Sequence, residues 1–187
     1  MKNYWEQGIS FEEYVKIGRQ RLENPANQQE ADYKQYYELG LQRIDRTLKK
    51  YIPDENQLKE LEAKNFDGKI LIISEVWCGD ASATVPALVK FFEERNEVRI
   101  FLRDSDKSLI NQFLTNGTES IPKVIILDND YQVKNSWGPR PKFGTELLMK
   151  YKADPIAYPK DLFYNDLQIY YAKNRGKDAV QEILELL

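Results

Sequence analysis

The chain contains no histidine and a single cysteine, Cys78, among its 187 residues. Without histidine, the Ser-His and Cys-His catalytic pairs are excluded, and a zinc site lacks its usual nitrogen ligand. A single cysteine excludes an internal disulfide, and it also excludes a small secreted scaffold held together by disulfides. We therefore expect no metal site, and any cysteine chemistry must use one sulfur.

The chain also lacks a strong charge of either sign and long hydrophobic runs. The net charge of −3 gives no electrostatic footprint for nucleic acid, and we interpret the basic cluster of Arg43, Arg46, Lys49 and Lys50 as a solvated helix face. Residues 1–10 have no apolar core of the kind that a signal peptide needs. We therefore expect a cytoplasmic protein with neither a nucleic-acid nor a membrane partner.

What the chain does have is enough length for one packed domain, which we place at residues 1–187. Residues 1–65 are predicted to form a helical extension, with helix starts at Ser10 and Asp54. Its apolar residues recur every three or four positions, which indicates a face packed on the following domain rather than a ligand groove. The longest such stripe consists of Tyr33, Tyr37, Leu41, Ile44, Leu48 and Tyr51.

The pattern changes at residues 70–73, where four consecutive apolar residues predict a strand covered on both faces. A helix from Ala81 and a second buried strand near residues 98–102 complete a parallel βαβ unit. A further helix is predicted to start at the cap Asp106 and to end at residues 116–117. Residues 124–127 and 131–133 then predict an antiparallel hairpin, and helices follow to the C-terminus, one of them capped by Asp161.

The first strand leads directly into Trp77, Cys78, Gly79, Asp80 and Ala81. A thiol at a helix N-terminus lies where backbone N–H groups and the helix dipole favour negative charge. The Asp80 carboxylate opposes a second negative charge close by. We therefore expect a thiol of chemical rather than packing importance, but one that forms a thiolate less readily than a two-cysteine redox site.

These residues resemble the Trp-Cys-Gly-Pro-Cys site of the thioredoxin superfamily and match it at three of five positions. Pro86, eight residues after Cys78, matches the proline of the family's active-site helix, and Ile121-Pro122 matches its cis-proline signature. The resemblance implies an α/β fold with a central mixed sheet of about four strands flanked by helices. It covers residues 66–155, which leaves 156–187 as C-terminal helices, and it is closest to a bacterial thioredoxin-like subgroup.

Two departures from the family pattern concern the redox chemistry. Ala81 replaces the second cysteine, and Ile72 replaces the buried acid that the family carries six residues before the nucleophile. Arg103, near the position of a family lysine, is expected to pair with Glu75 or Asp104.

The resemblance implies a monothiol thiol-disulfide oxidoreductase in which Cys78 forms a mixed disulfide with a protein or peptide substrate. Trp77, Gly79, Asp80, Ile121 and Pro122 would bind that substrate. No bound cofactor is implied, although glutathione or another external thiol would be the co-substrate. The alternative is a redox-inactive binding module that retains the same groove.

Overall fold

The computed structural model describes all residues from 1 to 187. Five helices come before the sheet, and four more accompany or follow it. The helices are α1 (Lys2–Gln7), α2 (Phe11–Glu23), α3 (Gln28–Asp32), α4 (Lys34–Lys50), α5 (Glu55–Lys64), α6 (Gly79–Phe92), α7 (Lys142–Ala153), α8 (Lys160–Asn174) and α9 (Lys177–Leu184). The strands are β1 (Lys69–Ser74), β2 (Glu97–Leu102), β3 (Lys123–Leu127) and β4 (Val133–Trp137).

The four strands form one mixed sheet in the order β2-β1-β3-β4. β1 and β2 are parallel, with Ile72 opposite Ile100, whereas β3 is antiparallel to both β1 and β4. The predicted βαβ unit and the predicted hairpin are both present. The structure thus confirms the predicted fold class, a four-stranded mixed sheet flanked by helices.

Strand β1 is buried on both faces because its side chains alternate between two cores. Ile70 and Ile72 enter a large core with α2, α4, α6 and α9, whereas Leu71 and Ile73 enter a smaller core on the opposite face. All four side chains are fully excluded from solvent. The consecutive apolar run therefore indicated a central strand correctly.

The helical segment before the sheet covers one face of it and one of its edges. Tyr14 on α2 and Tyr37, Leu41 and Ile44 on α4 are buried in the large core, as the apolar stripe predicted. The predicted helical extension begins with α1 (Lys2–Gln7), before the helix start that the sequence placed at Ser10. α1 buries Trp5, and the following Ile9 pairs with Ile100 on the edge strand β2. This pairing covers part of an edge that would otherwise be open to strand addition.

Two of the local predictions were wrong. The helix expected from Asp106 is a single 3-10 turn, Ile110–Gln112. Leu109 and Ile110 are buried while Leu114 is 44 % exposed, so one turn satisfies the apolar pattern without a continuous helical face. Asp161 does not cap α8: the cap position is Pro159, and Asp161 lies in the first turn.

Ser10 and Asp54 do act as caps, accepting backbone N–H groups at the starts of α2 and α5. None of the helices has both the length and the apolar character needed to cross a bilayer.

Helix α4 approaches the loop after β1 so closely that only glycine fits at position 40. A Cβ on Gly40 would lie 2.1 Å from the carbonyl oxygen of Val76, a backbone atom that cannot move aside easily. The position of the Cys78 loop therefore depends directly on the packing of α4.

Substituting Gly40→Ala should lower the free energy of unfolding by about 1–3 kcal/mol, because the added methyl group overpacks this contact. Ordinarily the same change in a helix is stabilising. The measurement is the urea midpoint, and Gln42→Ala on the exposed side of α4 is the control, expected to stay within about 0.5 kcal/mol. A Gly40→Ala variant as stable as wild type would contradict the close contact.

Candidate functional site

Cys78 is the N-cap residue of α6 and is partly exposed. Its carbonyl accepts the N–H of Ser82 at 2.9 Å, which forms the first hydrogen bond of the helix. Its own N–H donates to the carbonyl of Glu75 at 3.1 Å, so the loop between β1 and α6 is a tight turn. The sequence therefore places the sulfur at the start of α6, as predicted.

The thiol of Cys78 donates a hydrogen bond to the carbonyl oxygen of Ile121 at 3.3 Å. Ile121 precedes Pro122, and the peptide bond between them is cis. The structure thus brings Cys78 and Ile121 into contact, although 43 residues separate them along the chain. Both Ile121 and Pro122 are buried. Because a carbonyl accepts only from the protonated sulfur, this contact stabilises the neutral thiol.

Two effects together raise the pKa of the Cys78 thiol to about 12: burial, which is the larger, and the negative charge of the Asp80 carboxylate. The backbone N–H groups of Ala81 and Asp80 and the guanidinium of Arg140 act in the opposite direction but are outweighed. At neutral pH the thiol is therefore almost entirely protonated. The helix N-terminus therefore assists ionisation without making it easy.

Asp80 is held in place by two side chains that are distant from it in the sequence. Its Oδ2 accepts hydrogen bonds from Arg140, including one from Nε at 3.1 Å, and its Oδ1 accepts the hydroxyl of Tyr171 at 2.7 Å. The side chains of Asp80 and Arg140 are only 12 % and 16 % exposed. Asp80 is therefore a fixed, paired carboxylate rather than a free group for binding substrate.

The indole of Trp77 contacts the loop after β2 and the helical extension before the sheet. Its Nε1 donates to Asp104 at 3.2 Å, the guanidinium of Arg103 lies 4.8 Å from the ring centre, and Tyr33 packs edge-on against the ring at 5.1 Å. Arg103 pairs with Asp104 at 2.6 Å, which decides between the two partners left open by the sequence. Polar, cationic and aromatic contacts within the protein thus already engage the indole, one of them over its face.

Gly79 lies beneath side chains from the two helical additions, which are the extension at residues 1–65 and the C-terminal helices at residues 156–187. A Cβ at this position would be 3.3 Å from Nη1 of Arg43 on α4 and 4.0 Å from Nε2 of Gln168 on α8. The sequence analysis did not connect Arg43, Gln168 or Tyr171 with the site, because no local pattern links residues so far apart. The additions therefore frame the site rather than lying away from it.

The loop also contains a buried acid that the sequence analysis considered only as a partner for Arg103. Glu75 is fully excluded from solvent; its Oε1 accepts the N–H of Asp104 at 2.9 Å and its Oε2 accepts Nη1 of Arg21 at 2.9 Å. Burial raises the pKa of Glu75 to about 7 despite these contacts. Glu75 ties the Cys78 loop to the end of β2 and to α2.

The chain matches a family model described as Thioredoxin over residues 26–153, which is more than half of its length. The chain belongs to this thioredoxin family. The match begins before residues 66–155, where the sequence analysis places the thioredoxin core, and includes α4 and α5. No curated protein matches the chain.

Two solved structures share the thioredoxin-family fold of this chain over nearly its whole length. One is a protein of unknown function from Pseudomonas aeruginosa, with 15 % identity, a TM-score of 0.62 and coverage of 97 % of this chain and 92 % of that chain. The other is an HIV epitope-scaffold, with 15 % identity, a TM-score of 0.63 and coverage of 99 % and 95 %. At this identity the likeness concerns the fold alone, including the helices at both ends.

Relative to the two-cysteine pattern of the thioredoxin family, the site has one reactive group. Ala81, at the position of the second cysteine, is completely buried. No group of three or more Cys, Asp and Glu side chains could hold a metal ion. The remaining chemistry is that of one neutral thiol between the start of α6 and Ile121.

Replacing Asp80 with Asn should lower the pKa of the Cys78 thiol, because it removes a negative charge and leaves the Arg140 guanidinium free to act on the thiolate. At a fixed alkaline pH below that pKa, alkylation of Cys78 should become about tenfold faster. The measurement is the iodoacetamide rate against pH, with Asp161→Asn as a control of equal charge change. An unchanged or slower rate in Asp80→Asn would refute the assigned role of the carboxylate.

The raised pKa of Glu75 also predicts how stability depends on pH. The folded protein retains this proton to about pH 7, whereas the unfolded chain releases it near 4.5, so the free energy of unfolding should fall as pH rises between these values. The fall attributable to Glu75 is up to about 3 kcal/mol. Urea unfolding of Glu75→Gln should lack this fall in stability, whereas Glu12→Gln, at an exposed position, should behave as wild type. If the free energy of unfolding of Glu75→Gln and of wild type depended on pH in the same way, this role of Glu75 would be contradicted.

Proposed function

We propose that this thioredoxin-family protein is a monothiol thiol-disulfide oxidoreductase that uses the single sulfur of Cys78. The observation that carries the proposal is the position of this residue: Cys78 is partly exposed and caps the start of α6, with the N–H groups of Asp80 and Ala81 acting on its sulfur. A purely structural cysteine would need neither exposure nor these donors.

The proposed reaction uses two exchange steps. The thiolate of Cys78 attacks one sulfur of a mixed disulfide between a peptide and glutathione, forming a Cys78–glutathione disulfide and releasing the peptide as a thiolate that takes up a proton. A second glutathione thiolate then attacks the glutathione sulfur of that disulfide. Glutathione disulfide leaves, and Cys78 is restored. The net result is reduction of the peptide sulfur to a thiol and oxidation of one glutathione thiol, which leaves with the transferred glutathionyl group as glutathione disulfide.

The external thiol is required because the protein offers no second thiol. Ala81 is buried where the family's resolving cysteine would be, so the mixed disulfide can be resolved only by a thiol from solution. Glutathione or a similar thiol is therefore a co-substrate rather than a bound cofactor. A reducing compartment supplies it, which fits the cytoplasmic location expected from the sequence.

The high pKa of the thiol predicts a slow reaction whose rate increases with pH. Only the thiolate is nucleophilic, so its fraction, and with it the rate, should rise about tenfold for each pH step of one below the pKa. The thiolates of high-pKa thiols are intrinsically stronger nucleophiles, which partly compensates for the small fraction.

A redox-inactive binding module is the second candidate, and a specific observation favours it. Pro122, which would lie beside a bound substrate segment in the first proposal, is buried, and Asp80 is fully engaged by Arg140 and Tyr171. In this alternative the partly exposed surface of Trp77 and Gly79 holds a partner without turnover. The Cys78→Ser substitution distinguishes the two proposals.

In an assay of a glutathionylated peptide with excess glutathione, Cys78→Ser should reduce the protein-catalysed rate by at least about tenfold. Wild-type protein alkylated at Cys78 should lose activity to the same extent, since both changes remove the nucleophile. The rate of the uncatalysed exchange is subtracted at each pH.

Mass spectrometry after mixing with glutathione disulfide should detect one glutathione per chain on wild type and none on Cys78→Ser. Equal rates for wild type and Cys78→Ser, with no adduct on wild type, would leave the binding module as the function.

A further inference from the structure

A cavity of about 130 Å³ lies between α4, α6 and α8, next to the Cys78 loop. Its floor includes the buried residues Ala83, Tyr51 and Tyr171, and Tyr171 is the side chain that donates to Asp80. Its rim contains three exposed cations. They are Arg46, Lys50 and Arg175.

The three rim cations have no acidic partner in the protein. Eleven ion pairs are present in the structure, and none includes Arg46, Lys50 or Arg175. The residues that line the cavity include no Asp or Glu. Three like charges thus surround one opening without neutralisation from the chain.

Arg43, one turn before Arg46 on α4, extends this unpaired charge. It also belongs to no ion pair, and burial together with the positive charge of Arg46 lowers its pKa. A lowered pKa for an arginine means that the folded protein disfavours its charge at this place. An anion bound nearby would relieve that cost.

One residue that lines the cavity, Tyr51, has an unused hydrogen-bonding group. Tyr51 is 7 % exposed, and its hydroxyl is removed from solvent without any hydrogen-bond partner. Leaving a buried hydroxyl unpaired costs free energy, and native proteins seldom do so. The rim cations are groups that an oxyanion would engage, and the unpaired hydroxyl lies on one of the residues that line the same small space.

Arg43, Arg46 and Lys50 lie at positions i, i+3 and i+7, so they follow one face of α4 over about 10 Å. At one end of this row, Nη1 of Arg43 is 3.3 Å from where a Cβ of Gly79 would be. The other end opens at the rim of the cavity. The row therefore connects the loop of Cys78 with the cavity.

We propose that this cavity binds a small oxyanion, the phosphate or carboxylate group of a small molecule. Guanidinium groups bind both kinds of oxyanion through paired, charge-assisted hydrogen bonds, and a lysine adds a point charge. The site goes beyond thiol exchange at Cys78 and does not depend on it. What was interpreted from sequence as a solvated basic face is, on one side of α4, the rim of this binding site.

The test measures binding of inorganic phosphate and, separately, of succinate by calorimetric titration at constant ionic strength, so that general screening does not change. Saturable binding of at least one anion is expected, and the anion that binds identifies the group as phosphate or carboxylate. Lys50→Gln and Arg46→Gln should each weaken that binding by about tenfold.

Lys49→Gln is the matched control, because Lys49 has the same charge and lies on the same helix but does not line the cavity. It should weaken binding by less than about twofold. Absence of saturable binding of both anions would overturn the proposal. Equal weakening by Lys49→Gln and Lys50→Gln would also overturn it, because binding would then reflect only the net charge of the helix.

Discussion

The Asp80 carboxylate joins three separate parts of the chain, and the properties of the site depend on this junction. It receives hydrogen bonds from Arg140, just after β4, and from Tyr171 on α8, while lying itself in the first turn of α6. Largely buried ion pairs cost desolvation energy, so they contribute mainly when every partner is present. Removing any one of the three groups would leave a charge or donor unsatisfied beside Cys78.

This junction explains why the helix N-terminus does not produce a reactive thiolate here. The same carboxylate that fixes the loop also repels negative charge on the sulfur, and the Ile121 carbonyl accepts from the protonated thiol. Stability of the loop and ionisation of the thiol are therefore opposed. A site built in this way suits exchange that is slow at neutral pH, or binding without exchange, better than rapid redox cycling.

The fold was predictable from sequence because its strongest signals are periodic. The consecutive apolar residues of β1, the stripe on α4 and the landmarks Cys78 and Pro122 all indicated the observed architecture. The helix expected after Asp106 was wrong because two buried residues, Leu109 and Ile110, imitate a helical face that does not continue. α1 gave no periodic signal, since its burial rests mainly on one residue, Trp5.

The surroundings of the site were less predictable, because they are made by contacts between distant residues with no shared pattern. Tyr171 lies 91 residues from Asp80, and Gln168 and Arg43 reach Gly79 from opposite ends of the chain. Sequence identified the sulfur and the opposing charge of Asp80, but not the contacts that Arg140 and Tyr171 make with that carboxylate. The groups that act on the sulfur, Asp80 and Arg140, belong to the thioredoxin core, whereas the N- and C-terminal helices supply the side chains that hold Asp80 and cover Gly79.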